Sequence, residues 1–210
     1  MSAGELLVIP FLSKFIFPPD GSSASRDVVL NYYGVLLGYG SLQEFVKVQG
    51  PEHVSLLLQT RVLPLYSMAS PSPYLIAHAN WLLGELAVCF PEELNQEIYN
   101  SLLKALVVPD VGNVSWRLAR ASVAGAFAAL LQVEYTPAEW LNFLQILVCG
   151  TSEEKEEACL SLQLLATAAE VGEEKVTHHV PALTSTIKRE ILKHIPLAPK
   201  TWPHIVELGF

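Results

Sequence analysis

The chain has 210 residues, of which 51% are hydrophobic and 16% charged, with a formal net charge of −8. Its mean hydropathy is +0.35 and its pI is near 5.2. No Lys/Arg cluster is present to follow a phosphate backbone, which argues against nucleic acid as a partner. Three cysteines, Cys89, Cys149 and Cys159, are odd in number and lie in apolar helical runs. They point to a reduced intracellular compartment rather than a disulfide framework.

High hydropathy raises the question of a membrane. A spanning helix needs roughly 20 apolar residues with few charges. The best stretches are 74–90, which carries His78 and Glu85, and 118–131, which carries Arg120. Both are too short and too interrupted, so no membrane span is expected and helices buried on more than one face explain the composition better. At the N-terminus the apolar run 6–12 follows Glu5 and is broken by Pro10 and Lys14. This is the wrong pattern for a signal peptide.

In chain order, residues 6–17 predict a short helix, and 18–23 a loop rich in Pro, Gly and Ser. Ser25 suits a cap for a helix to about Tyr39, with Asp27 in its first turn. Gly34 and Gly38 in that helix predict close approach of a neighbour. A further helical piece covers 41–48. Gly50-Pro51-Glu52 starts the next helix, to about Tyr66, with a bend expected at Pro64. After the break at 70–73, Leu75, Ala79, Leu82, Leu83, Leu86 and Phe90 step along one helix face.

Residues 92–107 form the next predicted helix, with Leu94, Ile98, Leu102 and Leu106 on one stripe. The turn 108–113 leads into a helix over 115–131. There Leu118, Ala121, Gly125 and Ala128 predict one packed face and Val123, Phe127 and Leu130 another. Thr136-Pro137-Ala138-Glu139 has the form of a capping box with proline at the first position. The helix it opens should end at Gly150, and Thr151 with Glu154 form a second box. Ala158, Leu162, Leu165 and Ala169 follow as a stripe, and Gly172 breaks it. Residues 173–195 predict another helix, jointed at Pro181, and the Pro-rich tail 196–210 is irregular.

No stretch alternates in the manner of a strand, so the chain is expected to be all-α. First helices of successive pairs start near 5, 51, 92, 137 and 179, at intervals of 46, 41, 45 and 42 residues. Such a period, about 40–47 residues, marks HEAT or armadillo arrays, in which neighbouring pairs stack into a superhelix. The pairs are 5–48, 51–90, 92–132 and 137–171, with a partial pair over 173–195. The expected architecture is a single solenoid of about four and a half pairs.

The unit 92–131 resembles a HEAT repeat through Asp110 in the turn and Trp116-Arg117 early in the second helix. The resemblance implies that Asp110 and Arg117 tie turn to helix. Pro64 and Pro181 match the family's first-helix proline. Ile76 and Lys155 depart at the arginine position, so an incomplete Asp–Arg ladder is expected. A narrower resemblance lies in Pro73-Tyr74-Leu75-Ile76-Ala77-His78-Ala79-Asn80-Trp81-Leu82-Leu83-Gly84-Glu85. It is similar to the middle repeats of importin-β-type nuclear transport receptors, the large importins in particular, and covers about 52–132.

The importin resemblance implies a binding protein and not an enzyme, carrying protein cargo between cytoplasm and nucleus. Its implied partners are a protein cargo, for which an acidic surface suits a basic one, the GTPase Ran and phenylalanine-glycine nucleoporins, with Ran and nucleoporin binding tied to an intact receptor. Such receptors hold more repeats than this chain, so a fragment or short relative is expected, with exposed apolar surface over 6–17. Rival expectations are a non-transport HEAT scaffold or regulatory subunit, and an all-α enzyme.

No cofactor is expected. His178, His179, His194 and His204 lack the spacing of metal ligands. Cys89 and Cys149 have no basic neighbours in sequence, no phosphate-binding loop occurs, and the sequon at Asn113 falls in a turn. Glu153, Glu154, Glu156 and Glu157 suit a solvated helix N-terminus, or else an acidic patch for basic cargo. Glu85 and Arg120 are the candidates for a groove, with Trp81 and Trp116 expected in packing.

Overall fold

The computed structural model describes residues 12, 14, 26–68, 71–107, 114–150 and 155–194. Among these the chain is mostly helical and has no strand, as the absence of alternation predicts. Its contacts divide it into two compact units at the Tyr135–Thr136 bond.

In the first unit, α1 (Arg26–Ser41) and α2 (Gln43–Val48) are joined at Leu42, whose N–H bonds the Gly38 and Tyr39 carbonyls. Gly50 then takes φ of +95°, a conformation open to glycine. This sets Pro51 at the first position of α3 (Pro51–Leu57), where its missing N–H costs nothing. The expected bend at Pro64 is a change of helix type. A π-turn (Leu58–Val62) is followed by a 3₁₀ segment (Leu63–Ser67). Pro64 offers no N–H and its ring crowds the carbonyl four residues back, so the Leu63 N–H bonds the Leu58 carbonyl, five residues back. In this irregular stretch the Arg61 carbonyl accepts a 2.9 Å bond from the Tyr32 hydroxyl of α1.

Helix α4 (Pro73–Leu86) begins on a proline and passes into a 3₁₀ turn (Ala87–Cys89), four residues short of the expected end at Phe90. A second 3₁₀ turn (Glu92–Leu94) enters α5 (Asn95–Leu106), and α6 (Val114–Gln132) follows. Helix α1 packs on α4, α4 on α6, and α6 on α5; the 63–67 segment packs on α5. The predicted stripes of α4 and α5 are buried from Leu75 to Ile98 and Leu102, with Leu106 half-buried. Each fully buried leucine contributes about 1.5–3 kcal/mol.

Helix α6 departs from expectation. Val123, Phe127 and Leu130 are fully buried, but the other predicted face points outward: Leu118 is 61% exposed, and Ala121 and Gly125 are exposed too. Ala119, Ala124 and Ala126 are buried instead. The reason is the closeness of α4. A Cβ on Gly84 would lie 3.6 Å from the Ala126 Cα and 3.5 Å from the Ala129 Cβ, so small residues, not Leu118, sit at the crossing.

The glycines of α1 also act otherwise than expected. Gly34 meets nothing, and Gly38 faces the Leu12 side chain. Gly40 admits the neighbour: a Cβ there would overlap the Trp81 ring of α4. Of the apolar stretch 6–17, only Leu12 and Lys14 are described. Leu12 is buried rather than exposed.

The unit closes on tyrosines. The Tyr99 hydroxyl donates to the Tyr135 carbonyl at 2.7 Å, and the Tyr135 hydroxyl to the Pro91 carbonyl at 2.8 Å. Tyr99 stacks on Phe127 with centroids 5.6 Å apart, and Tyr135 meets Phe90 edge-on at 5.6 Å.

The second unit holds α7 (Trp140–Gly150), α8 (Lys155–Thr177) and α9 (Val180–His194), with α8 and α9 both against α7. Helix α7 is described as far as Gly150, and it starts at Trp140 rather than Pro137. The Glu139 carbonyl accepts its first bond, from the Phe143 N–H. Docking of Trp140 sets this start in place of the local capping sequence. The Trp140 ring lies where a Cβ on Gly172 would be, and Trp140 meets Phe143 edge-on at 6.3 Å. The break expected at Gly172 falls at Glu173, whose φ of 38° and ψ of −111° are non-helical, while α8 continues to Thr177. Pro181 is the second residue of α9, so the expected joint is an interruption between two helices. Thr151 and the tail 196–210 lie outside the described residues.

Candidate functional site

The site begins with the small residues that let α4 approach α6. Because Gly84, Gly125, Ala126 and Ala129 have little or no side chain, a groove of about 390 Å³ lies between the two helices, open to solvent. Asn80, Trp81, Glu85 and Ser122 complete its lining. The i and i+4 positions of Trp81 and Glu85 place both on one face of α4. The indole N–H donates to Glu85 Oε1 at 3.0 Å. His78 braces the indole from one turn earlier, ring centroids 6.1 Å apart, and itself packs on Tyr33 of α1 at 4.2 Å.

Asn80 and Ser122 of the lining belong to a buried polar network. Asn80 is fully buried. Its Nδ2 donates to the Ala119 carbonyl at 3.1 Å and to Ser122 Oγ at 2.9 Å. Ser122 in turn donates to the Ala119 carbonyl at 2.7 Å. The Tyr66 hydroxyl donates to Asn80 Oδ1. Burial pushes the Tyr66 phenol well above its ordinary pKa, which keeps it a donor. A buried polar group is costly unless it is bonded; here one asparagine joins the 63–67 segment, α4 and α6.

A consequence for chemistry follows from counting hydrogens. Both hydrogens of Asn80 Nδ2, the Ser122 hydroxyl hydrogen and the Trp81 N–H are all engaged within the protein. The lining side chains therefore present acceptors and no free donor. Glu85 is half-exposed, and the indole bond engages only one of its two oxygens. Among the described residues it meets no cation.

Of the residues predicted for a site, Glu85 is in the groove. Arg120 is on α6 but is 8% exposed and is not part of the lining. The two are not brought together there. Arg117 is exposed in the first turn of α6. Asp110, Glu153 and Glu154 lie outside the described residues, and of Glu156 and Glu157 only the backbone in α8 is described. Trp116 is buried, in line with a packing role. Cys89 is a free, half-buried thiol; Asn113 and His204 lie outside the described residues. Among the described residues no group of three His, Cys, Asp or Glu side chains is placed to hold a metal ion, and no helix is long and apolar enough to cross a membrane.

Asn80, Ser122 and the small residues of α6 were not singled out as site residues from the sequence. Their signal was present in the spacing of Ser122, Gly125, Ala126 and Ala129 along one helix face. It reads as a packing stripe until the partner helix is known. No protein-family model, curated protein or solved structure matches this chain.

Proposed function

We propose that the chain is a protein-binding module of stacked helix pairs, HEAT-like in architecture, and that it serves nucleocytoplasmic protein transport as an importin-β-like receptor or a portion of one. It acts by binding, with no bond made or broken. One structural observation carries the binding role. Helices α1, α4 and α6 pack in that order, and large apolar residues stand exposed on each: Leu30 and Leu37, Tyr74, and Leu118. Large apolar residues exposed on three packed helices support an interaction role. These three are the second helices of the pairs 5–48, 51–90 and 92–132. Their adjacency, with the 63–67 segment against α5 among the first helices, supports the stacking of a solenoid.

The transport assignment rests on the resemblance of 52–132, above all Trp81-Leu82-Leu83-Gly84-Glu85, to importin-β-type receptors. Its test is binding of the full chain to immobilised phenylalanine-glycine nucleoporin repeats and to Ran loaded with a GTP analogue. Saturable binding of either supports transport. Absence of both overturns that assignment and leaves a scaffold that assembles other proteins.

A further inference from the structure

We propose that His78 is a proton-sensitive clasp between α1 and α4, one that holds the two helices more tightly when its ring is charged. The inference concerns the fold and does not depend on what the chain binds. The first observation is contact. His78 is half-buried on α4, and its ring lies against that of Tyr33 on α1, centroids 4.2 Å apart and planes tilted by 52°. The Trp81 indole is a second neighbour at 6.1 Å. A cation within about 6 Å of an aromatic centroid is attracted by the charge distribution of the ring. An imidazolium here therefore gains from Tyr33 what the neutral ring does not.

The second observation is the hydrogen bond that orients the ring. Nδ1 lies 3.1 Å from the Tyr74 carbonyl oxygen, one turn earlier on α4. A carbonyl only accepts, so Nδ1 carries a hydrogen and Nε2 is left to take the second proton. Protonation keeps this bond and makes it charge-assisted, which strengthens it.

Around α4 the titratable groups either balance or lie on another face. Glu85, two turns on along α4, is a carboxylate held by the Trp81 N–H. Helix α1 brings Tyr33, with Arg26 and Asp27, of opposite sign, in its first turn. Helix α2 brings Glu44 and Lys47, paired at 2.9 Å. Helix α6, with Arg117 and Arg120, and the 63–67 segment, with Tyr66, meet α4 at Asn80, which lies about 160° around the helix from His78. Cys89 in the following 3₁₀ turn lies about three turns beyond.

The experiment is urea unfolding of the full chain, followed by helical circular dichroism at about pH 5 and about pH 8, the span over which histidine changes charge. His78→Phe keeps a ring against Tyr33 that takes no charge. A cation favoured by the fold binds its proton more tightly in the native state, so its stabilisation is present at low pH and lost as pH rises. The ratio of the parent's folding constant to that of His78→Phe is expected to be about two- to five-fold larger at the lower pH. Effects of the shared carboxylates cancel in that ratio. In the Tyr33→Leu background the ratio is expected to be nearly independent of pH. In the Tyr33→Phe background, which keeps the ring face, it is expected to change as in the parent. If the Tyr33→Leu chain does not fold, the parent and Tyr33→Phe ratios still decide. A ratio that is equal at the two pH values, or larger at the higher one, overturns the proposal, as does a pH effect that survives whole in the Tyr33→Leu background.

Discussion

A methyl group added at Gly40 would lie 2.2 Å from the Trp81 ring, far inside van der Waals contact. The indole cannot retreat without breaking its bond to Glu85 and its packing on His78. Gly40→Ala is therefore expected to destabilise the chain by about 1–3 kcal/mol, the usual cost of overpacking. Gly125→Ala is the opposite case. Nothing lies within 4 Å of its added Cβ, and it sits inside α6 with ordinary helical backbone. It should stabilise by about 0.5–1 kcal/mol through helix propensity. Urea unfolding of the two variants beside the parent checks both signs. Equal effects would mean that α1 and α4 do not approach as described. The pair also shows what a sequence reveals at this scale. Glycines in α1 announce a close approach somewhere, but Gly34, Gly38 and Gly40 are indistinguishable until Trp81 is placed over one of them. The charge of Glu85 stands out in an apolar stretch, but the sequence does not fix the direction of its side chain. The role of Asn80 was not legible, because it depends on Tyr66 and Ser122, which are distant in sequence.

At the scale of elements, local signals located most helices and missed how some of them begin, end and turn. Pro64 acts where expected, since a missing N–H imposes itself locally. The start of α7 and the inward face of α6 were set by tertiary partners, Trp140 over Gly172 and Gly84 against Ala126. Two consequences are measurable. The Tyr32 hydroxyl is a donor to the Arg61 carbonyl in the irregular π-turn. Tyr32→Phe is expected to cost about 1 kcal/mol, the net value of one such bond, and to speed amide exchange around 58–63 more than in α6. Exchange unchanged around 58–63 would show that the turn does not depend on α1. In the second unit, Glu173 holds a positive φ of 38° that a side chain resists. Glu173→Gly removes that strain and is expected to raise stability by about 1 kcal/mol. Thermal unfolding reads it, and a loss in place of a gain would mean that α8 runs straight through this position.

Across the molecule the tyrosines are distributed unevenly, and this predicts how it responds to alkali. All seven precede Thr136, so the second unit has none. Burial is the main cause raising five phenols above their ordinary value: Tyr32, to about 12, and Tyr39, Tyr66, Tyr99 and Tyr135. Neighbouring charge modifies the effect, since Arg61 lowers Tyr32 while Glu92 and Glu93 raise Tyr135 further. A phenol that is harder to ionise when folded binds its proton more tightly in the native state. Its stabilising contribution is complete below the unfolded pKa of about 10 and is lost as pH climbs through the folded value. The first unit should therefore weaken steeply above about pH 10 and unfold as its phenols ionise, with Tyr66, Tyr99 and Tyr135 releasing protons only when their packing is lost. Tyrosinate absorbance and helical circular dichroism, recorded together on an alkaline titration, are expected to change in one joint step for these residues. Trp140 fluorescence, isolated by replacing the other tryptophans with phenylalanine, reports whether the tyrosine-free unit follows or persists. Ionisation of all seven tyrosines near pH 10 with helix content unchanged would contradict the burial of Tyr66 and Tyr99, and with it the bond from Tyr66 to Asn80.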